Sequence, residues 1–174
     1  LRISEIALVR SGNPQEEGIL NGPIIDGAHL ARIDACVQQA LDGGAELCAG
    51  GKVLSAEHHT YAPTLLSQTL PEMRVNADEI FGPVAVLEIA KDFEAAIEMV
   101  NDSRYGLQAG VFTQRIDRMK LALARREVGG VIINNPPGFR MDGMPYGGVK
   151  DSGLGREGVR YAMEEMTEPR LLVF

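Results

Sequence analysis

Three groups of residues in this sequence have types and spacings that could carry chemistry. Gly153-Leu-Gly155-Arg-Glu-Gly158 spells G-x-G-x-x-G, the pattern in which glycines let a backbone approach a pyrophosphate at a helix N-terminus. Cys36 and Cys48 are the available thiols, and His29, His58 and His59 the available imidazoles. A dinucleotide fingerprint, however, follows directly on a strand and needs an acidic residue about 20 positions on, at the end of the next strand. Here PYGGVKDS precedes Gly153 and does not read as a strand, and the sixteen residues after Gly158 leave no room for a second one. The glycines instead read as a turn that opens a last helix and lets backbones approach closely. A reactive cysteine sits exposed near positive charge or at a helix N-terminus. Cys36 falls mid-helix beside an apolar face and Cys48 within a short apolar strand, so both read as structural. No C-x-x-C or H-x-x-x-H spacing occurs, so no metal site is expected. His58-His59, next to Glu57, reads as a solvated loop.

The elements that must position any site follow from periodicity. The start of the chain, through Ile3, Ile6 and Leu8-Val9, reads as the last turns of a helix. DGAHLARIDACVQQALDGG places Leu30, Ile33, Val37, Ala40 and Leu41 on one helix face, with Asp26 as N-cap and Gly43-Gly44 as stop. Short strands are expected at Ala45 to Ala49 and Tyr61 to Leu66. VNADEIFGP then forms a loop or one helical turn before the buried strand PVAVLEIA. Asp92 caps a second helix whose stripe is Phe93, Ala96, Ile97 and Val100. LQAGVFT is a strand, QRIDRMKLALARRE a helix with Ile116, Met119 and Leu123 on one face, and VGGVIIN a β-branched strand. Asn134 to Gly155 reads as one long Gly/Pro-rich loop, a length usually tied to function. Glu157 to Met166 reads as a short helix and Pro169 to Phe174 as a terminal strand without a partner in this chain. Strands alternating with helices of ten or more residues imply crossover connections. The expected class is α/β: three layers, a largely parallel sheet with helices on both faces.

Composition narrows the function classes. The 174 residues suit one sizeable core, and a net charge of -7, from 24 acidic and 17 basic residues, argues against a nucleic-acid footprint. No apolar run reaches the roughly 20 residues of a membrane span, the start LRISEIALVR lacks a basic region followed by an apolar stretch, and two cysteines are too few for a disulfide framework. A cytoplasmic protein is expected, with partners that are neither nucleic acid nor membrane.

Three separated segments carry a resemblance: Glu79-Ile-Phe81-Gly82-Pro83-Val84, Tyr105-Gly106-Leu107-Gln-Ala109-Gly-Val111-Phe112-Thr113, and Pro145-Tyr-Gly147-Gly148-Val-Lys150-Asp-Ser152-Gly153-Leu-Gly155-Arg156-Glu157. In order, separation and intervening pattern, over essentially the whole chain, they resemble the aldehyde dehydrogenase superfamily in its NAD(P)-dependent, cysteine-nucleophile form. From the letters alone Glu79 reads as a solvated loop charge and Phe81 as core. The resemblance implies instead that Glu79 accepts bonds from both hydroxyls of the nicotinamide ribose, for which a carboxylate has two acceptor oxygens, and that Phe81 walls the nicotinamide. It further implies that Asn134-Asn-Pro136-Pro137-Gly138-Phe139-Arg140-Met141 lies at the mouth of the aldehyde tunnel, with Asn134, Phe139 and Arg140 as tunnel residues. Arg140 could meet an anionic substrate tail, or be a plain surface arginine.

The same resemblance implies that an aldehyde is oxidised to its acid through a cysteine thiohemiacetal and thioester, with NAD or NADP as cofactor. In family order the nucleophile, the base glutamate and the cofactor-binding domain precede the helix with which this chain starts. The expected organisation is therefore residues 1–166 as the C-terminal portion of the catalytic domain and 167–174 as a terminal oligomerisation strand, with the cofactor-binding domain absent from this chain. Alone, the chain is expected to be inactive and to bind no cofactor tightly. The parent is expected to be a homodimer or homotetramer through the C-terminal strand. A non-catalytic α/β assembly or binding module is the competing reading.

Overall fold

The computed structural model describes residues 3–174. The expected opening helix at Leu1 and Arg2 lies outside the described residues; from Ile3 it is the four-residue α1 (Ile3–Ile6). The chain divides into two compact units, the first ending at Ile89 and the second spanning Ala90–Phe174.

In the first unit, β1 (Arg10–Ser11) and β2 (Ile19–Asn21) form a short parallel pair. Helix α2 (Gly27–Asp42) follows its sequence signals closely. The Asp26 carboxylate accepts the His29 N–H at 2.8 Å, the Gly43 N–H closes onto Gln39 O, and Gly44 takes φ +99°. Its apolar stripe of Leu30, Ile33, Val37 and Ala40, with Cys36 beside it, is buried against Tyr61, Leu66, Val75 and Ile80. The bond from the His29 N–H holds the Asp26 carboxyl below its ordinary pKa. A depressed folded pKa means that the cap contributes in full above the unfolded value and is lost as pH falls through the folded one. The melting temperature should therefore fall more steeply below about pH 4 in the wild type than in Asp26→Asn, whose amide caps without titrating. Parallel melting curves from circular dichroism would contradict this.

Strands β3 (Glu46–Ala49), β4 (Val53–Ser55), β5 (Thr60–Tyr61) and β6 (Thr64–Ser67), helix α3 (Arg74–Ala77) and strand β7 (Val84–Leu87) complete the unit. The single strand expected over Tyr61 to Leu66 is two strands in two sheets. Tyr61 pairs with Val53, whereas Thr64 to Ser67 sit between β3, antiparallel, and β7, parallel. Pro63 has no N–H for a ladder and breaks the run. The Thr64 hydroxyl bridges the gap by accepting from Gly51 N at 2.9 Å and donating to Ala62 O at 2.7 Å. Tyr61 is fully buried and donates its hydroxyl to Asp34 at 3.0 Å; burial, then that carboxylate, push the phenol pKa well up.

In the second unit, Asp92 caps α4 (Phe93–Asn101) through Ala95 N at 2.8 Å. Strand β8 (Tyr105–Gly106), strand β9 (Gln108–Val111), helix α5 (Ile116–Arg125), strand β10 (Gly130–Ile133), strand β11 (Val149–Lys150) and helix α6 (Val159–Glu165) follow. Strands β9 and β10 pair in parallel, Gln108 opposite Gly130. The expected long loop from Asn134 to Gly155 contains β11, antiparallel to β8, and a Tyr146–Glu157 bridge, so part of PYGGVKDS is strand after all. Helix α5 departs from its expected stripe: Ile116 and Leu123 are exposed, Met119 is half-buried, and Ala122 is the fully buried position. The small residue lets the helix approach β10. Residues 167–174 join no ladder. The class is α/β, with parallel pairing at β1–β2 and, across a connecting helix, at β6–β7 and β9–β10, and antiparallel pairing at β3–β6, β4–β5 and β8–β11. Parallel and antiparallel pairs are thus spread over several small sheets, of which the β3-β6-β7 sheet is mixed, rather than one largely parallel sheet. Among the described residues no helix is long and apolar enough to cross a membrane.

Candidate functional site

Glu79 and Phe81 flank an anchor. Ile80 is buried in the core of the first unit, and its carbonyl accepts from Arg32 Nη2 at 2.5 Å. With Ile80 turned inward, its neighbours turn outward: Glu79 is exposed and Phe81 is 75% exposed. Phe81 holds φ +53°, an uncommon backbone state for a bulky residue. The chain then passes close to α2 at Gly82, where a Cβ would lie 2.6 Å from Ile33 Cδ1. Glu79 and Phe81 line one open concavity of about 560 Å³ with Pro23, Ile24, Ile25, His29 and Arg32. His29 and Arg32, three residues apart on the first turns of α2, share a helix face. Their spacing was visible in the sequence, but that the Glu79 loop faces them was not.

This concavity brings together a carboxylate, an aromatic ring, a guanidinium and an imidazole. Glu79 makes no ion pair among the described residues and offers two acceptor oxygens, and Phe81 presents an uncovered aromatic face. Arg32 is steadied by Ile80 O and His29 Nδ1 lies 2.8 Å from Asp26 Oδ1.

Asn134, Phe139 and Arg140 lie on the segment after β10, in the second unit. Asn134 takes φ +55° and clasps the strand ends: its N–H donates to Val111 O and its Oδ1 accepts from Thr113 N, both at 2.8 Å. Phe139 is 40% exposed. Arg140 is held on two sides, by Glu157 Oε2 at 2.9 Å from Nη2 and by the Tyr146 ring, whose centroid is 4.6 Å from Cζ. The sequence offered no sign of this pairing, because Tyr146 and Glu157 meet Arg140 only through the antiparallel bridge that joins them to each other.

The glycine-rich turn is filled by protein. Gly153, Gly155 and Gly158 all take positive φ. The Arg156 N–H donates to Glu165 Oε1 at 3.1 Å, and a Cβ on Gly155 would lie 2.6 Å from that oxygen. A carboxylate of the chain itself thus occupies the turn. Upstream, Lys150 Nζ donates to Asn101 O at 2.5 Å and Ser103 O at 3.0 Å and pairs with Glu127 at 2.7 Å, a cation on the C-terminal end of α4. Cys36 is 1% exposed in the core, and Cys48 is half-buried, its thiol 3.2 Å from Ser67 Oγ. Among the described residues no three His, Cys, Asp or Glu side chains cluster as metal ligands.

The model of the aldehyde dehydrogenase family matches residues 3–172. A 3-sulfolactaldehyde dehydrogenase of Priestia megaterium is 43% identical over 93% of this chain and 33% of its own length. Aldehyde dehydrogenase 21 of Physcomitrella patens, solved with its reaction product succinate, superposes with a TM-score of 0.91 at 38% identity, over 95% of this chain and 34% of that one. A glyceraldehyde-3-phosphate dehydrogenase of Methanocaldococcus jannaschii, solved with NADP, gives 0.86 at 37% identity, over 94% and 35%. The chain thus spans about a third of the length of the relatives it matches.

Proposed function

The chain belongs to the aldehyde dehydrogenase family, and on that premise we propose that its complete gene product oxidises a small acidic or hydroxylated aldehyde to the carboxylic acid with NAD or NADP. The observation that carries this reading is the shared concavity of Glu79 and Phe81 beside His29 and Arg32. When bound, the nicotinamide ring supplies the hydride acceptor. The chain's own part is to hold that ring and its ribose: Glu79 accepts from the two ribose hydroxyls, Phe81 walls the ring, and Arg32 keeps the Ile80 carbonyl, and so the Glu79 loop, in place. Cys36 is sealed in the core and Cys48 is engaged with Ser67, so we place the nucleophile outside these 174 residues.

Asn134, Phe139 and Arg140 form the substrate end of the reading. A guanidinium has five N–H donors in a planar fork that matches a carboxylate or sulfonate, and the contacts with Glu157 and Tyr146 hold that fork out on the loop. Relatives named for 3-sulfolactaldehyde and solved with succinate support an anionic tail. Residues 167–174 complete the proposal. Leu171, Leu172, Val173 and Phe174 are exposed and unpaired, and an unpaired apolar segment of this kind can add as a strand to the sheet edge of another subunit, giving a homodimer or homotetramer. The free cysteines suit a cytoplasmic setting.

Kinetics of the complete gene product test both ends. Glu79→Gln should raise KM for NAD or NADP about tenfold or more while moving the aldehyde KM by less than about twofold; unchanged cofactor kinetics would remove Glu79 from the site. Arg140→Ala should raise KM for succinate semialdehyde far more than for butanal, and equal effects would count against the anionic tail. A complete gene product that reduces neither NAD nor NADP with a panel of small aldehydes overturns the reading as a whole.

A further inference from the structure

We propose that Gln108 is a positioning residue for the substrate-mouth loop, the side chain that sets how Phe139 and Arg140 are presented; the inference rests on the reading of Arg140 given above. Gln108 opens β9, and its Nε2 donates to Pro137 O at 2.6 Å and to Phe139 O at 3.2 Å. Both amide hydrogens therefore hold the loop across some thirty residues of sequence. Pro136 and Pro137 have no N–H, so the loop cannot be secured by a ladder through them, and its carbonyls are the available handles.

Three further observations point to the same role. Gln108 Oε1 is buried and accepts no hydrogen bond among the described residues. An unsatisfied buried acceptor is unfavourable and calls for an explanation, and an apolar side chain of similar length would avoid it, but only the amide supplies the two donors. Gly130, directly opposite on β10, leaves room for that amide: a Cβ there would lie 2.8 Å from Gln108 Oε1. Gly110 shares the Gln108 face of β9 at a spacing of two, and a Cβ on it would lie 2.7 Å from Asn135 O, so the loop settles against the strand there. The loop is thus held at Asn134 by Thr113, at Pro137 and Phe139 by Gln108, and at Arg140 by Glu157 and Tyr146.

Two variants of the complete gene product test this. Gln108→Leu removes the donors. Gly130→Ala leaves the glutamine but pushes its amide aside. Each should raise KM for succinate semialdehyde about tenfold, hold kcat within about threefold, and move KM for butanal by less than about threefold, since small misplacements of a binding group are costly. In the 174-residue chain, each should speed amide exchange at Phe139 about tenfold or more, with the strand-end amides of Thr113 and Asn134 unchanged. Equal KM changes for the two aldehydes, or unchanged exchange at Phe139, would overturn the proposal. Exchange that quickens equally at Thr113 and Phe139 would also overturn it, because that marks general loosening. If wild-type enzyme shows no preference that Arg140→Ala abolishes, the anionic-tail reading fails by itself, and exchange at Phe139 still decides whether Gln108 positions the loop.

Discussion

Gly129→Ala is expected to destabilise the second unit by about 3 kcal/mol or more, measured as a drop in the urea midpoint. A Cβ at Gly129 would lie 1.7 Å from Gly147 O and 3.1 Å from Leu107 O. Both obstacles are backbone, so no side-chain rotation relieves them. Gly129 also donates its N–H to Gly106 O at 3.0 Å, and Gly106 pairs with Val149. The residue therefore lies where the end of β8, the start of β10 and the approach to β11 converge. Moving any one of them disturbs the β8–β11 ladder and the Lys150 contacts beside it. Gly138→Ala is the control: no heavy atom lies within 4 Å of its added Cβ, and the change should stay within about 0.5 kcal/mol. A Gly129→Ala chain as stable as the control would show that the close approach is not rigid.

Ile33→Ala should cost the first unit about 3 to 4 kcal/mol, within the range for emptying a fully buried aliphatic site. Ile33 is 0% exposed on the buried face of α2 and shares its core with Val37, Tyr61, Leu66 and Ile80. The loss reaches the candidate cofactor site, because Ile33 Cδ1 is the atom that Gly82 clears and Gly82 follows Phe81. The converse change is informative. Gly82→Ala should itself be destabilising, and shortening the neighbour with Ile33→Val should offset part of it. A double-mutant cycle should give a coupling of at least about 0.5 kcal/mol, and strictly additive effects would place the two residues out of contact.

How much of this could be read from the letters depended on the range of the interaction. Helices α2 and α4 were legible because a cap, a stripe and a stop all act within a turn or two: Asp26 bonds His29, Asp92 bonds Ala95, and Gly43 and Gly44 end the helix. Helix α5 was legible as a helix but not by its face. Ile116 and Leu123 are periodic and apolar, yet Ala122 is what packs inward, since burial depends on what stands opposite and periodicity does not record that. The stretch from Tyr61 to Leu66 has strand composition throughout, and its division at Pro63 follows from two different partners, Val53 on one side and Val84 to Val86 on the other.

By itself, the sequence determined the α/β class, the capped helices, and the motifs around Glu79, Tyr105 and Pro145 that place the chain in its family. At Gly153 to Gly158 it offered only a G-x-G-x-x-G pattern, and the structure fills that turn with the Glu165 carboxylate. Only the tertiary structure decided which side chains meet. Arg32 reaches Ile80 O across 48 residues, Gln108 reaches Phe139 O across 31, and Glu157 meets Arg140 through an antiparallel bridge. Caps and stripes are set by neighbours a turn apart. These longer contacts are set by strand register and by the few glycines that let backbones close, and a one-residue shift in either would separate the same letters.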